Sequence, residues 1–555
     1  MNESVVPLLA ATFFISVLAL FVFIWAFSQN LFSMDAAAAS LIFAEGEAGT
    51  VEDPAATPDE TRHLQAASHG GAGRTAPPAA SEAELRERSE LDDSTRVAAF
   101  VWISSAIFWL IVGSFFGLSS SIKMHSPDWL AQFPWFAFGR IRPVHLNVVA
   151  YGWTAMAGVG LTTWMLPRLL KTPLMGSGYS VSGAMVWNLA LYSGILAILL
   201  GWTNGLEWLE FPWPIGVLFT FGGGFAAVPL ILTVIRRKVD HLYVTIWYCG
   251  AALLWFPFLY LVANMPYIHF GVEGAAMNWW YGHNVLGYFM TPMAVGVAYY
   301  FIPKVLGEPI HSYNLSVVGF WTLALFYGQV GMHHLIGGPI PSWVVTLSIV
   351  QSMMMLLPIV AFFINMRNTM QGHYRTVAYS PTMRFIFFGG VCYILASVQG
   401  SFEALRSMNT VVHFTHYTIG HAHLGLYAFV AMIFFGAIYF VMPRILNWEW
   451  PYPKLIMVHF WLVAIGAVTY IAALSIGGWL QGLLMLDENH PFMDSVRVTL
   501  PYLTARSVGG ALMTLGHIIF ALHFYIMVLR HGPQRSVAAV IGLPSLRGDV
   551  AGAKG

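Results

Sequence analysis

Six histidines stand out among the residues able to do chemistry: His145, His283, the adjacent pair His333 and His334, and His421 with His423. Each lies in an apolar run long enough for a membrane helix, where a histidine is costly and is kept as a ligand, a relay or an interface anchor. Residues two apart on a helix point about 200° apart around its axis, so His421 and His423 face opposite flanks at nearly one height. They suit two separate planar groups and not one shared ion. His333 and His334, about 100° apart, can both turn toward one ion. With His283 they make three imidazoles, a set that suits copper, zinc or iron. Cys249 and Cys392 are too few for an iron-sulfur cluster or a disulfide framework. Iron porphyrin held by axial histidine fits a large, planar, apolar pocket. A lone buried histidine is more often an interhelical hydrogen-bonder, but six at one depth weigh against that alternative.

The elements that must position them are membrane helices. Of 555 residues 57% are hydrophobic and 9% charged, where a soluble chain has about 25% charged. The chain therefore reads as an all-α polytopic membrane protein. Its 26 basic and 26 acidic residues balance, so no global field points to nucleic acid. Twelve segments have the length a membrane helix needs: 97–119, 143–168, 183–203, 213–235, 242–265, 279–303, 313–336, 341–365, 383–402, 412–443, 456–478 and 505–531. One further apolar segment, from Val5 to Phe27, precedes them, too long for a signal-peptide core and without a basic start. It reads as a retained anchor, with cleavage near the alanines at 36–39 as the alternative. Four parts follow: an anchor over 1–34, an acidic Ala/Pro/Gly-rich linker over 35–95, a twelve-helix domain over 96–535 and a tail over 536–555. Half of the acids, thirteen of 26, lie between Asp35 and Asp93. Ser81 with Glu84 has capping-box spacing, so 83–92 is expected as a short charged helix on the membrane surface. Arg168 with Lys171, Arg236 to Lys238, Arg367 with Arg375, Arg444 with Lys454, and Arg530 with Arg535 fall in alternate loops. Basic loops stay cytoplasmic, which places the linker and the C-terminus inside and the six histidines in the outer leaflet.

The run Trp279-Trp280-Tyr281-Gly282-His283-Asn284, followed by Tyr299-Tyr300-Phe301-Ile302-Pro303-Lys304, resembles the catalytic subunit of the cbb(3)-type, or C-family, haem-copper oxidases. So do Gly331-Met332-His333-His334, Thr418-Ile419-Gly420-His421-Ala422-His423 and Arg142-Pro143-Val144-His145, in the expected order over about 97–529. The resemblance implies the twelve-helix subunit I fold, reduction of dioxygen to water and proton pumping in a bacterial inner membrane. It implies His145 and His423 as axial ligands of a low-spin haem b and His421 as the proximal ligand of a high-spin haem b. His283, His333 and His334 are then the ligands of copper B. Tyr327, six residues and about 9 Å before His333 on one helix, matches the family's redox tyrosine, which is covalently joined to the ligand equivalent to His283. Tyr299, Tyr313 and Ser316 match its proton channel, with packing as the alternative. Glu207 and Glu210 beside Trp208 resemble acids that bind calcium near the haem propionates, with solvated loop acids as the alternative.

The chain also departs from the family. Gln399 stands where the family's glutamate aligns, Glu403 follows one turn later, and His416 replaces an acidic position. Arg406 and His413 remain candidates for the propionates or a proton exit path. A nitric oxide reductase shares the fold, but its iron is supported by a glutamate four residues after the first metal histidine, where this chain has Gly287. A proton-relay transporter is a second rival, and it does not explain His333 beside His334. No Cys-x-x-Cys-His motif is present, so electrons are expected from cytochrome c through membrane-anchored c-type cytochrome subunits. Trp25, Phe27, Ser28, Gln29, Asn30 and Phe32, followed by Asp35, resemble the small single-helix assembly protein of these oxidases, which points to a fusion.

Overall fold

The computed structural model describes residues 6–29, 36–68 and 80–529. The expected tail, Arg530, Arg535 and the motif residues Asn30, Phe32 and Asp35 lie outside them. The helices are α1 (Val6–Ser28), α2 (Pro58–Ser68), α3 (Glu82–Lys123), α4 (138–170), α5 (Ser177–Leu200) and α6 (Trp213–Ile235). There follow α7 (Val244–Ala263), α8 (Gly271–Leu306), α9 (Tyr313–Phe326), α10 (Ser342–Thr369), α11 (Pro381–Glu403), α12 (His416–Leu446), α13 (Lys454–Leu486) and α14 (Phe492–Val528). The expected twelve spans correspond to α3 through α14. Neighbours in sequence pack as neighbours in space, and α14 returns against α3 to close the bundle.

Three helices occupy the centre. In the apolar stretch of α8 89% of residues are buried and in that of α12 83%, against 44–61% in the other spans. α4 is buried almost throughout its second half. Each of these three carries a π-helical stretch just after one of the six histidines: 148–155 after His145 in α4, 286–290 after His283 in α8 and 424–431 after His423 in α12. Such one-turn expansions are rare and concentrate at functional sites. They re-aim the helix face below the histidine without breaking the helix.

Three expectations change. The boundary drawn at residue 95 falls inside α3, a continuous helix of 42 residues. Ser81 does cap it, its hydroxyl accepting the Glu84 N–H, but the charged turns run on into the membrane span. No glycine or proline interrupts 82–112, and Arg86 and Arg88 pair one turn back with Glu82 and Glu84. The segment 36–68 is not a solvated spacer. It folds onto the basic end of the bundle, where buried Asp53 accepts hydrogen bonds from the Ser380 hydroxyl (2.6 Å), the Thr382 N–H (2.9 Å) and the Thr382 hydroxyl (2.8 Å) and so caps α11. Finally, Tyr327 and His333 do not share one straight helix. α9 ends at Phe326, two 3-10 turns follow, and Gly331 between them sits at φ +130°. A side chain there would approach the Trp279 carbonyl oxygen to 2.5 Å, so only glycine lets this loop lie against α8.

Close backbone approach also seats the start of α12. A Cβ on Gly478 would lie 2.0 Å from the Tyr417 nitrogen, and one on Gly482 would lie 1.8 Å from the Val411 oxygen. Gly482→Ala is accordingly expected to destabilise the protein by about 1–3 kcal/mol through overpacking, read as a lower midpoint of thermal unfolding by circular dichroism. An unchanged midpoint would mean that α13 does not hold the short helix Arg406–Val412 ahead of α12 by this contact.

Candidate functional site

His145 on α4 and His423 on α12 face each other with ring centroids 6.4 Å apart and planes 14° from parallel. Their outer nitrogens are committed: His145 Nδ1–H donates to the Gly113 carbonyl at 2.9 Å and His423 Nδ1–H to the Ile419 carbonyl at 2.8 Å. That sets one tautomer on each ring and leaves both Nε2 lone pairs free. One metal with bonds of about 2 Å to each nitrogen fits between them. His145 lies flat on Gly117, where a Cβ would come within 2.5 Å of the ring. Tyr470 packs against His423 with centroids 4.5 Å apart and planes tilted by 37°, and buried Arg506 donates from Nε to the Tyr470 hydroxyl at 2.8 Å.

On the other flank of α12, His421 rests on Gly400, whose added Cβ would lie 2.7 Å from the imidazole. Its Nδ1 is buried without a hydrogen-bond partner. The opposite orientation of His421 and His423 follows the helical geometry expected from their spacing. Both line one largely apolar cavity of about 510 Å³ that also reaches His145, His283, His333 and His334.

His283, His333 and His334 can each present a nitrogen within 4.8 Å of the others, the one such group of three ligand side chains among the described residues. Their ring centroids are 4.5–4.8 Å apart. Trp279 stacks on His334 at 4.1 Å. Ser348 on α10 organises the loop from below. Its Oγ accepts the Gly331 N–H at 3.1 Å and the His333 N–H at 3.2 Å, and lies 3.1 Å from His333 Nδ1. Tyr327 closes the site on the side of the basic end, its hydroxyl 3.4 Å from His283 Nδ1. Its ring lies on Gly287, so that a Cβ there would sit 1.8 Å from it.

The remaining expected residues divide. Arg406 turns outward, donating to the Thr346 hydroxyl at 2.8 Å, and neither it nor His413 lines the cavity. Arg142 and Arg506 do. Glu207 pairs with Arg142 at 2.8 Å, while buried Glu210 accepts from Asn147 Nδ2 at 2.8 Å. Each acid thus has its own protein partner. Burial pushes the Glu210 carboxyl up to about 7, with the Asn147 hydrogen bond opposing and the Glu207 charge adding. Tyr313 donates to the Leu242 carbonyl and Ser316 to the Tyr313 carbonyl at 2.6 Å, whereas the Tyr299 hydroxyl meets Asn365 Nδ2 at 3.5 Å. No direct hydrogen bond joins these three side chains. Glu403 reaches the cavity wall and accepts from the Thr418 hydroxyl, while Gln399 does not line it. Sequence reasoning missed Arg506, Tyr470 and Ser348. An arginine in a span was a usable signal for the first; a serine and a tyrosine in apolar helices carry none.

The profile of the family "Cytochrome C and Quinol oxidase polypeptide I" matches residues 97–512, and the chain belongs to that family. It is 32% identical over 449 residues to the Cbb3-type cytochrome c oxidase subunit CcoN1 of Stutzerimonas stutzeri, covering 78% of this chain and 95% of that one. It is 31% identical to a cytochrome c oxidase subunit 1 homolog of Agrobacterium tumefaciens, covering 80% and 86%. A heme-copper terminal oxidase dimer solved by cryo-electron microscopy has the same fold, with a TM-score of 0.66 at 17% identity over 81% of this chain and 86% of that one.

Two outcomes follow from the site. Ser348→Ala removes three contacts from the His333 loop and is expected to weaken retention of a metal ion at the three-histidine group roughly 10- to 100-fold, measured as metal content after dialysis against a chelator; undiminished metal would show the loop to be held otherwise. Glu210 has a folded-state pKa raised from 4.5 to about 7. Its contribution to stability is therefore complete below the lower value and lost as pH rises through the upper one. Glu210→Gln should match the wild type in thermal stability below pH 4.5, gain on it progressively as pH rises from 4.5 to about 7, and keep a constant advantage above that; parallel pH profiles would contradict the assignment.

Proposed function

We propose that the chain is the oxygen-reducing subunit of a terminal respiratory oxidase in a bacterial inner membrane, a cytochrome c oxidase of the cbb(3) type. The observation that carries this reading is the packing of Tyr327 on Gly287. Nitric oxide reduction within the superfamily uses a glutamate at that position, and here the first atom of any side chain would collide with the phenol ring at 1.8 Å. The site favours a tyrosine beside the three imidazoles over a fourth ligand to iron.

His145 and His423 would hold a low-spin haem b from both sides and leave its iron no open position. His421 would hold a high-spin haem b from one side, facing the copper B ligands His283, His333 and His334. When bound, these groups supply the iron and copper redox chemistry that takes dioxygen to water. Tyr327 stands 3.4 Å from a copper ligand, placed to give an electron and a proton together. Arg142 and Arg506 offer cations to the haem carboxylates at the cavity wall. Protons reach Tyr327 from the basic end past Tyr299, Tyr313 and Ser316. The hydroxyls of Tyr313 and Ser316 are committed to carbonyls, so this route is completed by water. Electrons arrive from cytochrome c through c-type cytochrome subunits.

Metal and haem analysis of the purified protein, with dioxygen and nitric oxide consumption measured in parallel, tests the reading. Copper together with haem iron, and oxygen uptake as the main activity, are expected. Iron without copper, or nitric oxide turnover without oxygen uptake, would overturn it. Tyr327→Phe should keep both haem spectra and lower oxygen reduction by roughly 100-fold or more.

A further inference from the structure

The three central helices end alike. α4 closes on Pro167-Arg168-Leu169-Leu170-Lys171, α8 on Pro303-Lys304-Val305-Leu306-Gly307 and α12 on Pro443-Arg444-Ile445-Leu446-Asn447. In each, the residue four after proline turns left-handed and stops the helix: Lys171 at φ 47°, Gly307 at 68° and Asn447 at 57°. The repeat delivers Arg168, Lys304 and Arg444 to one end of the bundle, with side chains only 8%, 9% and 3% exposed. Cations suit helix C-termini, yet buried charges need partners of opposite sign.

The segment after α1 supplies them. Glu47, itself 5% exposed, bonds Lys304 and lies 4.0 Å from Arg168 and 3.8 Å from Arg88. Glu52 bonds Arg444. The Gly49 N–H donates to the Gly307 carbonyl at 2.7 Å and the Glu52 N–H to the Val305 carbonyl at 3.2 Å, which satisfies carbonyls that the end of α8 leaves unpaired. The fit is close: a Cβ on Gly307 would lie 2.5 Å from the Thr50 oxygen. Beyond it, Asp53 caps α11, Glu60 reaches Arg384 at 3.9 Å and His63 stacks on Tyr379 at 4.5 Å. Burial pushes the Glu47 carboxyl up, but Lys304, Arg168 and Arg88 outweigh it and hold the group well below the usual carboxylate range.

We infer that the basic end of α4, α8 and α12 is a peptide-binding surface, and that its permanent occupant is the acidic segment 44–60 of this chain, acting as a tethered subunit that locks the three metal-bearing helices together. The surface recognises a carboxylate placed among Lys304, Arg168 and Arg88, a second one at Arg444, and a glycine-containing turn over Gly307. This role is independent of which gas the enzyme reduces. It also differs from that of a transient assembly factor, which would leave once the metals are in place.

Protease sites inserted into the stretches 30–35 and 69–79 of the full chain would free the segment between them from both flanking helices. After cleavage of the detergent-purified holoenzyme, gel filtration at low salt is expected to keep the freed peptide with the core. Glu47→Gln combined with Glu52→Gln should speed its release on the order of 100-fold, and Gly307→Val should do the same by steric exclusion. Loss of the wild-type peptide in the first passage would overturn the inference, as would equal retention in both variants. Should the double variant not accumulate, Glu52→Gln alone, at a site 23% exposed, decides on the same readout.

Discussion

The constraint on which this structure depends is the burial of imidazole nitrogens whose lone pairs stay uncommitted. In hydrocarbon an unsatisfied polar atom is costly, so the protein satisfies one nitrogen of His145 and of His423, and it seats His145 and His421, whose Nδ1 has no partner, where only a small neighbour fits. His145 and His423 donate Nδ1–H to the carbonyls of Gly113 and Ile419. Gly117 and Gly400 are flat beds for His145 and His421. Ser348 performs the corresponding task for His333 from a neighbouring helix.

These seats require central helices that cannot slide, and both ends of the trio are held. Toward the site, α13 grips the start of α12 at Gly478 and Val411 just ahead of it at Gly482, while Gly331 lets the His333 loop lie against α8. At the far end the three repeated Pro-Arg/Lys termini converge on Glu47 and Glu52. The balanced net charge of the chain thus has a structural counterpart. Acids concentrated before α3 neutralise bases concentrated at one end of the bundle, and several of these pairs are buried.

Most of the architecture was legible from the amino-acid order, because a bilayer demands about 20 apolar residues per crossing and twelve such runs stand out. Helix ends were less so. The charged start of α3 reads as a separate surface helix only because hydropathy marks where the hydrocarbon begins and not where helical hydrogen bonding does. The histidines that line the cavity were legible through spacing and motif. Arg406 was a reasonable anion partner by position in the chain, yet its side chain leaves toward Thr346, and Arg506, far away in sequence, occupies the cavity wall instead.

By itself the sequence determined a bundle of helices long and apolar enough to cross a membrane, and the opposite facing of His421 and His423, since these follow from apolar length and a rise and turn common to all α-helices. Only the tertiary structure decided which imidazole faces which. The 6.4 Å gap between His145 and His423, the contact of Tyr327 with Gly287 and the seating of Glu47 among three cations each join elements distant in sequence. Their geometry is set by how the helices pack, and that has no local signature in the chain.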